Sequence, residues 1–116
     1  MTSQQNREPP RRKTTWRDTD DLKDAAFAWA QRINITLRQV SVRKMRRKWA
    51  SMSTAGRMTL SADLLTIPRE LGEFVIVHEL VHLLVPNHGK VFKSFMHAYL
   101  PDWEVKEQLL QSQEMS

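Results

Sequence analysis

Between Pro68 and Pro86 the chain carries an uninterrupted stretch, Arg69 to Leu84, that fits only in the middle of a fold. Pro68 suits the first turn of a helix, where its missing N–H costs nothing, and Pro86 with Asn87 must stop that helix. Phe74, Val77, Val81 and Leu84 share one face, and Leu71, Val75 and Leu80 widen the apolar stripe beyond what a surface helix needs. A helix of this kind has to be covered from several sides. With 116 residues the chain has material for a single core, so any site and its substrate groove must share that core.

The covering elements can be read on either side of it. Leu22, Ala26, Trp29 and Ile33 recur at helical spacing behind Asp18, Asp20 and Asp21, whose charges suit a helix N-terminus, and predict a helix over 20–33. Ile35, Leu37, Val40 and Val42 alternate with polar residues, and so do Met58 and Leu60 beyond a small-residue stretch ending at Gly56. They predict two or three short antiparallel strands between residues 35 and 61. A further helical pattern, Val91, Phe92, Phe95, Met96 and Tyr99, closes at Pro101. The expected class is α+β, a small antiparallel sheet packed on a central helix with flanking helices.

Residues 1–17 are polar and basic with almost no apolar content, and are expected to form a disordered tail ahead of a single domain over 18–116. No segment is apolar enough for a secretory signal or a membrane span, which makes a cytoplasmic location the default expectation. The chain has no cysteine, so disulfides and thiolate metal sites are excluded and histidine and carboxylate remain as strong ligands. The net charge of +5 is unevenly spread. Arg11, Arg12, Lys13 and Arg17 form one basic cluster and Arg38, Arg43, Lys44, Arg46, Arg47 and Lys48 another, either of which can attract DNA or another polyanion.

Within the central helix stands His78-Glu79-Leu80-Val81-His82. Residues four apart lie one turn above each other, so both imidazoles can reach one metal ion while Glu79 lies beside them. A catalytic zinc needs a third ligand and an open position. His88, six residues beyond His82 and past the Val85-Pro86-Asn87 break, is the first choice, with Gly89 beside it able to admit close backbone approach. His97, Asp102 and Glu104 are the other candidates. Zinc would lower the pKa of water to about 7 and polarise a scissile carbonyl, and Glu79 would take the water proton and pass it to the leaving amine. Tyr99 and His97 are candidates for the oxyanion by residue type only.

The assembled residues resemble the YgjP-like metallopeptidase domain, a relative of the SprT-like and WLM families among the small gluzincin-type zinc peptidases. The resemblance spans Val40 to Trp103 and rests on Val42-Arg43-Lys44-Met45, Arg47-Lys48-Trp49-Ala50-Ser51, Met58-Thr59-Leu60, Pro68 and the run Phe74 to Leu83. Asn87-His88-Gly89 with Phe92, and Pro101-Asp102-Trp103, complete it. It implies one zinc ion on His78, His82 and His88, Glu79 as the base, and a peptide or protein substrate. Ala50, Ser61 and Lys93 depart from the residues common there, glycine, asparagine and tryptophan, at positions that concern the groove. The His82-to-His88 spacing also equals that of metzincins, but Val85 stands in place of their turn glycine.

Three functional readings result. The first is peptide hydrolysis, with an extended substrate adding to an edge strand near Trp49–Ser51 or Met58–Ser61. A narrower form, borrowed from SprT-like relatives, has the basic clusters hold DNA carrying the protein substrate. The alternative is a non-catalytic, zinc-stabilised basic module for nucleic acid or protein, against which Glu79 argues, since a structural site has no use for a base. Nothing in the sequence fixes an oligomeric state.

Overall fold

The computed structural model describes residues 15–113. Helix α1 spans Thr19–Ile33, where the periodicity placed it. Asp18 caps it, its Oδ1 accepting from the Asp21 N–H at 2.9 Å, and Asn34 ends it in the left-handed conformation at φ 69°. Leu22, Ala26, Trp29 and Ile33 form its buried stripe.

The sheet has three strands, β1 (Gln39–Arg43), β2 (Ala50–Met52) and β3 (Arg57–Ser61), in the order β1-β3-β2. β2 and β3 form an antiparallel hairpin with Ala50 opposite Leu60, whereas β1 runs parallel to β3 with Val40 opposite Met58. The sheet is therefore mixed, not wholly antiparallel as expected. The alternation of residues reports which face a strand buries, not its direction. Here the connection after β1 carries the chain to the far edge, so that β3 returns between the other two. Val40, Met58 and Leu60 point into the core.

A 3₁₀ turn over Ala62–Thr66, begun by Ser61 Oγ accepting from the Asp63 N–H at 3.2 Å, leads to α2 over Arg69–Leu84. Leu71, Phe74, Val75, Ile76, Val77, Leu80 and Val81 are all buried, which confirms a helix enclosed from several sides. Leu84, assigned to the same face, is instead 43% exposed at the C-terminal end. Helix α3 covers Lys90–Tyr99, and α4, which the sequence did not announce, covers Trp103–Gln111. Both pack on α2. No helix among the described residues is long and apolar enough to cross a membrane.

Of the tail expected over 1–17, residues 1–14 lie outside the described residues, but Trp16 belongs to the core at 4% exposure. Its ring lies so close to Gly72 that a Cβ there would come within 2.6 Å of Trp16 Nε1, and the Arg69 guanidinium stacks over it at 4.1 Å. One indole carries enough apolar area to anchor a segment that is otherwise polar. Arg69 Nη1 also donates to Asp21 Oδ2 at 2.7 Å, and the Arg17 N–H donates to the same oxygen at 3.0 Å. Burial would raise the Asp21 carboxyl, but these donors outweigh it and hold its pKa below the ordinary value. Asp21 is thus an anchor between α1 and α2 rather than only a dipole partner.

Candidate metal centre

His78 and His82 project from adjacent turns of α2, and His88 returns to them from the Pro86–Gly89 turn ahead of α3. The Nε2 atoms of His82 and His88 are 2.8 Å apart and those of His88 and His78 3.4 Å. Among the described residues these three are the one group of potential ligands able to hold a metal ion, their ligand atoms all lying within 4.8 Å of one another. Four tetrahedral ligands at zinc–nitrogen bond length would stand about 3.3 Å apart. The observed spacings bracket that value, so the donor set fits such an ion. Hydrogen bonding alone accounts poorly for this convergence, since His88 Nε2 carries either one proton or one lone pair and faces both other nitrogens.

Phe92, 1% exposed, forms the floor of the centre. Its ring centroid lies 5.3, 4.8 and 4.7 Å from those of His78, His82 and His88, so one side chain from α3 sets the tilt of all three. Burial first, and then the neighbouring imidazoles, lower the pKa of His82, which favours the neutral form that ligates metal. A hydrogen bond to the backbone of Pro86, which can only accept, orients its ring. Gly89 contributes less than expected, since a Cβ there would meet nothing within 4 Å.

Glu79 stands apart from the nitrogens, its Oε2 3.7 Å from His78 Nδ1, and lines a recess of about 310 Å³ beside the centre. One wall is the start of β2 with Lys48, Trp49 and Ala50; α2 adds Phe74 and Val75; α4 adds Glu107, Leu110 and Gln111. The alternative ligands lie elsewhere. The ring of His97 packs against Trp103, 6.1 Å between centroids, and Asp102 takes both its hydrogen bonds from Lys106. Tyr99 packs against Trp29 and Phe95, so neither residue considered for the oxyanion lines the recess. Sequence reasoning missed the α4 wall and the role of Phe92. The spacing of Trp103 and Leu110, two turns apart, was the available signal for the first, and the position of Phe92 one turn beyond His88 for the second.

Fold and centre together define a class: a minimal metallopeptidase, three strands and three helices gathered round a fourth helix that carries two of the candidate ligands. The YgjP-like family model, a metallopeptidase domain, matches residues 4–113. The chain belongs to that family and is a peptidase, which implies a divalent metal. The fold is similar to that of the metallopeptidase zymogen jannalysin of Methanocaldococcus jannaschii, at 26% identity and TM-score 0.66, over 78% of this chain and 91% of that one. It is also similar to the zymogen abylysin of Pyrococcus abyssi, at 20% identity and TM-score 0.68, over 78% and 92%. No curated protein sequence matches the chain.

Proposed function

We propose that the chain hydrolyses peptide bonds with one zinc ion held by His78, His82 and His88 and with Glu79 as general base. The observation that carries this reading is the convergence of three ring nitrogens beside a glutamate that faces a recess rather than joining them. Zinc held there would supply Lewis acidity, acidifying water and polarising a carbonyl. Glu79 takes the proton of the attacking water and delivers it to the leaving amine. Phe92 and Pro86 fix the imidazoles, and the wall of Ala50, Phe74, Val75 and Leu110 takes an apolar side chain next to the bond.

Of the two strands considered for substrate pairing, β3 is occupied on both sides, whereas β2, among the described residues, has a free edge beside the recess. That supports an extended substrate adding to β2. The exposed Arg43, Lys44, Arg46, Arg47 and Lys48 form no ion pair among the described residues, which supports polyanion contact at that end; salt-sensitive retention of duplex DNA, lost in Arg46→Ala/Arg47→Ala, tests it.

The deciding experiment combines elemental analysis with turnover. About one zinc per chain is expected in the wild type and in Glu79→Gln, with peptide cleavage abolished in the latter, while His88→Ala loses most of the metal. Full activity in Glu79→Gln would remove that residue from the mechanism, and metal retained in His88→Ala would remove that ligand.

A further inference from the structure

Val75, Glu79 and Leu83 lie four residues apart and therefore form one line along α2. The first two border the recess beside the metal centre. Leu83 borders a second recess, about 510 Å³, whose other walls are Thr36 and Arg38 ahead of β1 and the hairpin Thr54–Arg57. The second recess thus lies about one helical turn beyond the first along α2, at the hairpin end of β2.

Their chemistry differs. The first sets Glu79 and Glu107 against Lys48, while the second is bordered by two arginines, two threonines and no Asp or Glu. Arg38 and Arg57 are exposed, and among the described residues neither has a carboxylate within 4.0 Å. The corner that presents them is held rigidly. Arg38 N–H donates to Gly56 O at 2.7 Å, and Gly56, at φ 89°, packs so tightly that a Cβ would lie 3.0 Å from Thr36 O. Two forked cations bordering one recess, with no carboxylate partner among the described residues, suit the carboxylate of Asp or Glu.

We infer that this second recess is a specificity subsite for an acidic side chain of the polypeptide substrate. The inference rests on the reading of the chain as a peptidase that pairs its substrate with β2. Antiparallel pairing is the more stable per residue, and it puts the N-terminal part of the peptide at the hairpin. From Glu79 to Leu83 the helix rises about 6 Å, roughly two residues of extended chain. With the reach of the arginine side chains, the acidic residue falls about two to four positions N-terminal to the bond cut.

Binding decides this independently of turnover. Zinc-supplied full-length Glu79→Gln protein is titrated by fluorescence anisotropy with labelled peptides identical except for Glu, Gln or Lys at those positions, and with one carrying Glu on the C-terminal side instead. The Glu peptide is expected to bind about tenfold more tightly than the Lys peptide at low salt, with the ratio falling as salt rises. In Arg38→Glu/Arg57→Glu the order should reverse; Arg57→Gln, a milder change, should halve the preference or more if the double variant does not fold. Equal binding of all peptides, a preference for Glu on the C-terminal side, or a ratio untouched in a folded Arg57→Gln protein would overturn the subsite. So would a duplex oligonucleotide that depends on Arg38 and Arg57 when the Glu peptide does not. If the wild type cuts none of the peptides while the binding order stands, the peptidase reading fails and the recess remains as a binding site for acidic peptides.

Discussion

Helices α2 and α4 face each other across the recess beside the metal centre and are held there in opposite ways. α2 buries eight of its residues and is pinned at its start by Arg69, which bridges Asp21 and Trp16. α4 buries two, Trp103 and Leu110, and leaves Val105 57% and Leu109 46% exposed. Its polar tie is Lys106, donating to Asp102 at 2.8 and 2.9 Å and lying 3.6 Å from Glu70 on α2. Two of the three candidate ligands thus sit on the most enclosed helix, and part of the recess wall sits on one with far less of its surface buried. Damage near α2 should cost folding and metal together, whereas damage to α4 should alter substrate handling alone.

The largest effect is expected at Phe92. Phe92→Ala removes the floor under three imidazoles and should cost about 3–5 kcal/mol, with loss of bound metal. Phe92→Leu, which keeps much of the volume, should fold at a cost of about 1.5 kcal/mol and bind metal more weakly. Chemical denaturation with metal analysis checks both. Wild-type metal affinity in a folded Phe92→Leu protein would show that the ligands orient themselves.

Asp21→Asn is next, at about 1–3 kcal/mol, because it leaves the Arg69 guanidinium without its anion in a partly buried site. The folded pKa of Asp21 lies below the ordinary carboxylate value, so the unfolded chain binds the proton more readily and stability rises with pH through that window. The contribution is present above about pH 4 and fades as pH falls through the folded value. The stability difference between wild type and Asp21→Asn, measured by denaturation across pH 2.5–6 (roughly the carboxylate range), should therefore narrow towards acid. A constant difference would mean that shape and not charge fixes the start of α2.

How much of this was legible follows the same division. α2 and the histidines it carries could be read because burial on several sides requires apolar residues at nearly every turn, and the two prolines mark its ends. His88 could be placed because the chain must reverse at Pro86–Asn87. α4 was missed because its buried side rests on only two residues, Trp103 and Leu110, two turns apart in a nine-residue helix, which is little pattern to read. The parallel pairing of β1 with β3 depends on where a connection crosses, which residue alternation does not encode. Trp16 was hidden by averaging, one aromatic among basic and polar neighbours.

The smallest effect, and the one that tests the comparison most directly, is expected at Lys106. Its side chain is 11% exposed although its carboxylate partners Asp102 and Glu70 are 58% and 61% exposed, so much of its length is covered as well as charged. Lys106→Met keeps the buried stem and removes the charge, which leaves α4 attached mainly by Trp103 and Leu110. Global stability should change little, since exposed ion pairs contribute weakly, and metal content should not change at all. Glu107, Leu110 and Gln111 would then border a looser recess. KM should rise about two- to fivefold with kcat nearly unchanged, the pattern of binding lost equally from ground and transition states. Steady-state kinetics beside thermal unfolding of Lys106→Met checks this. A fall in kcat at constant KM would place α4 in the chemistry itself and end its distinction from α2.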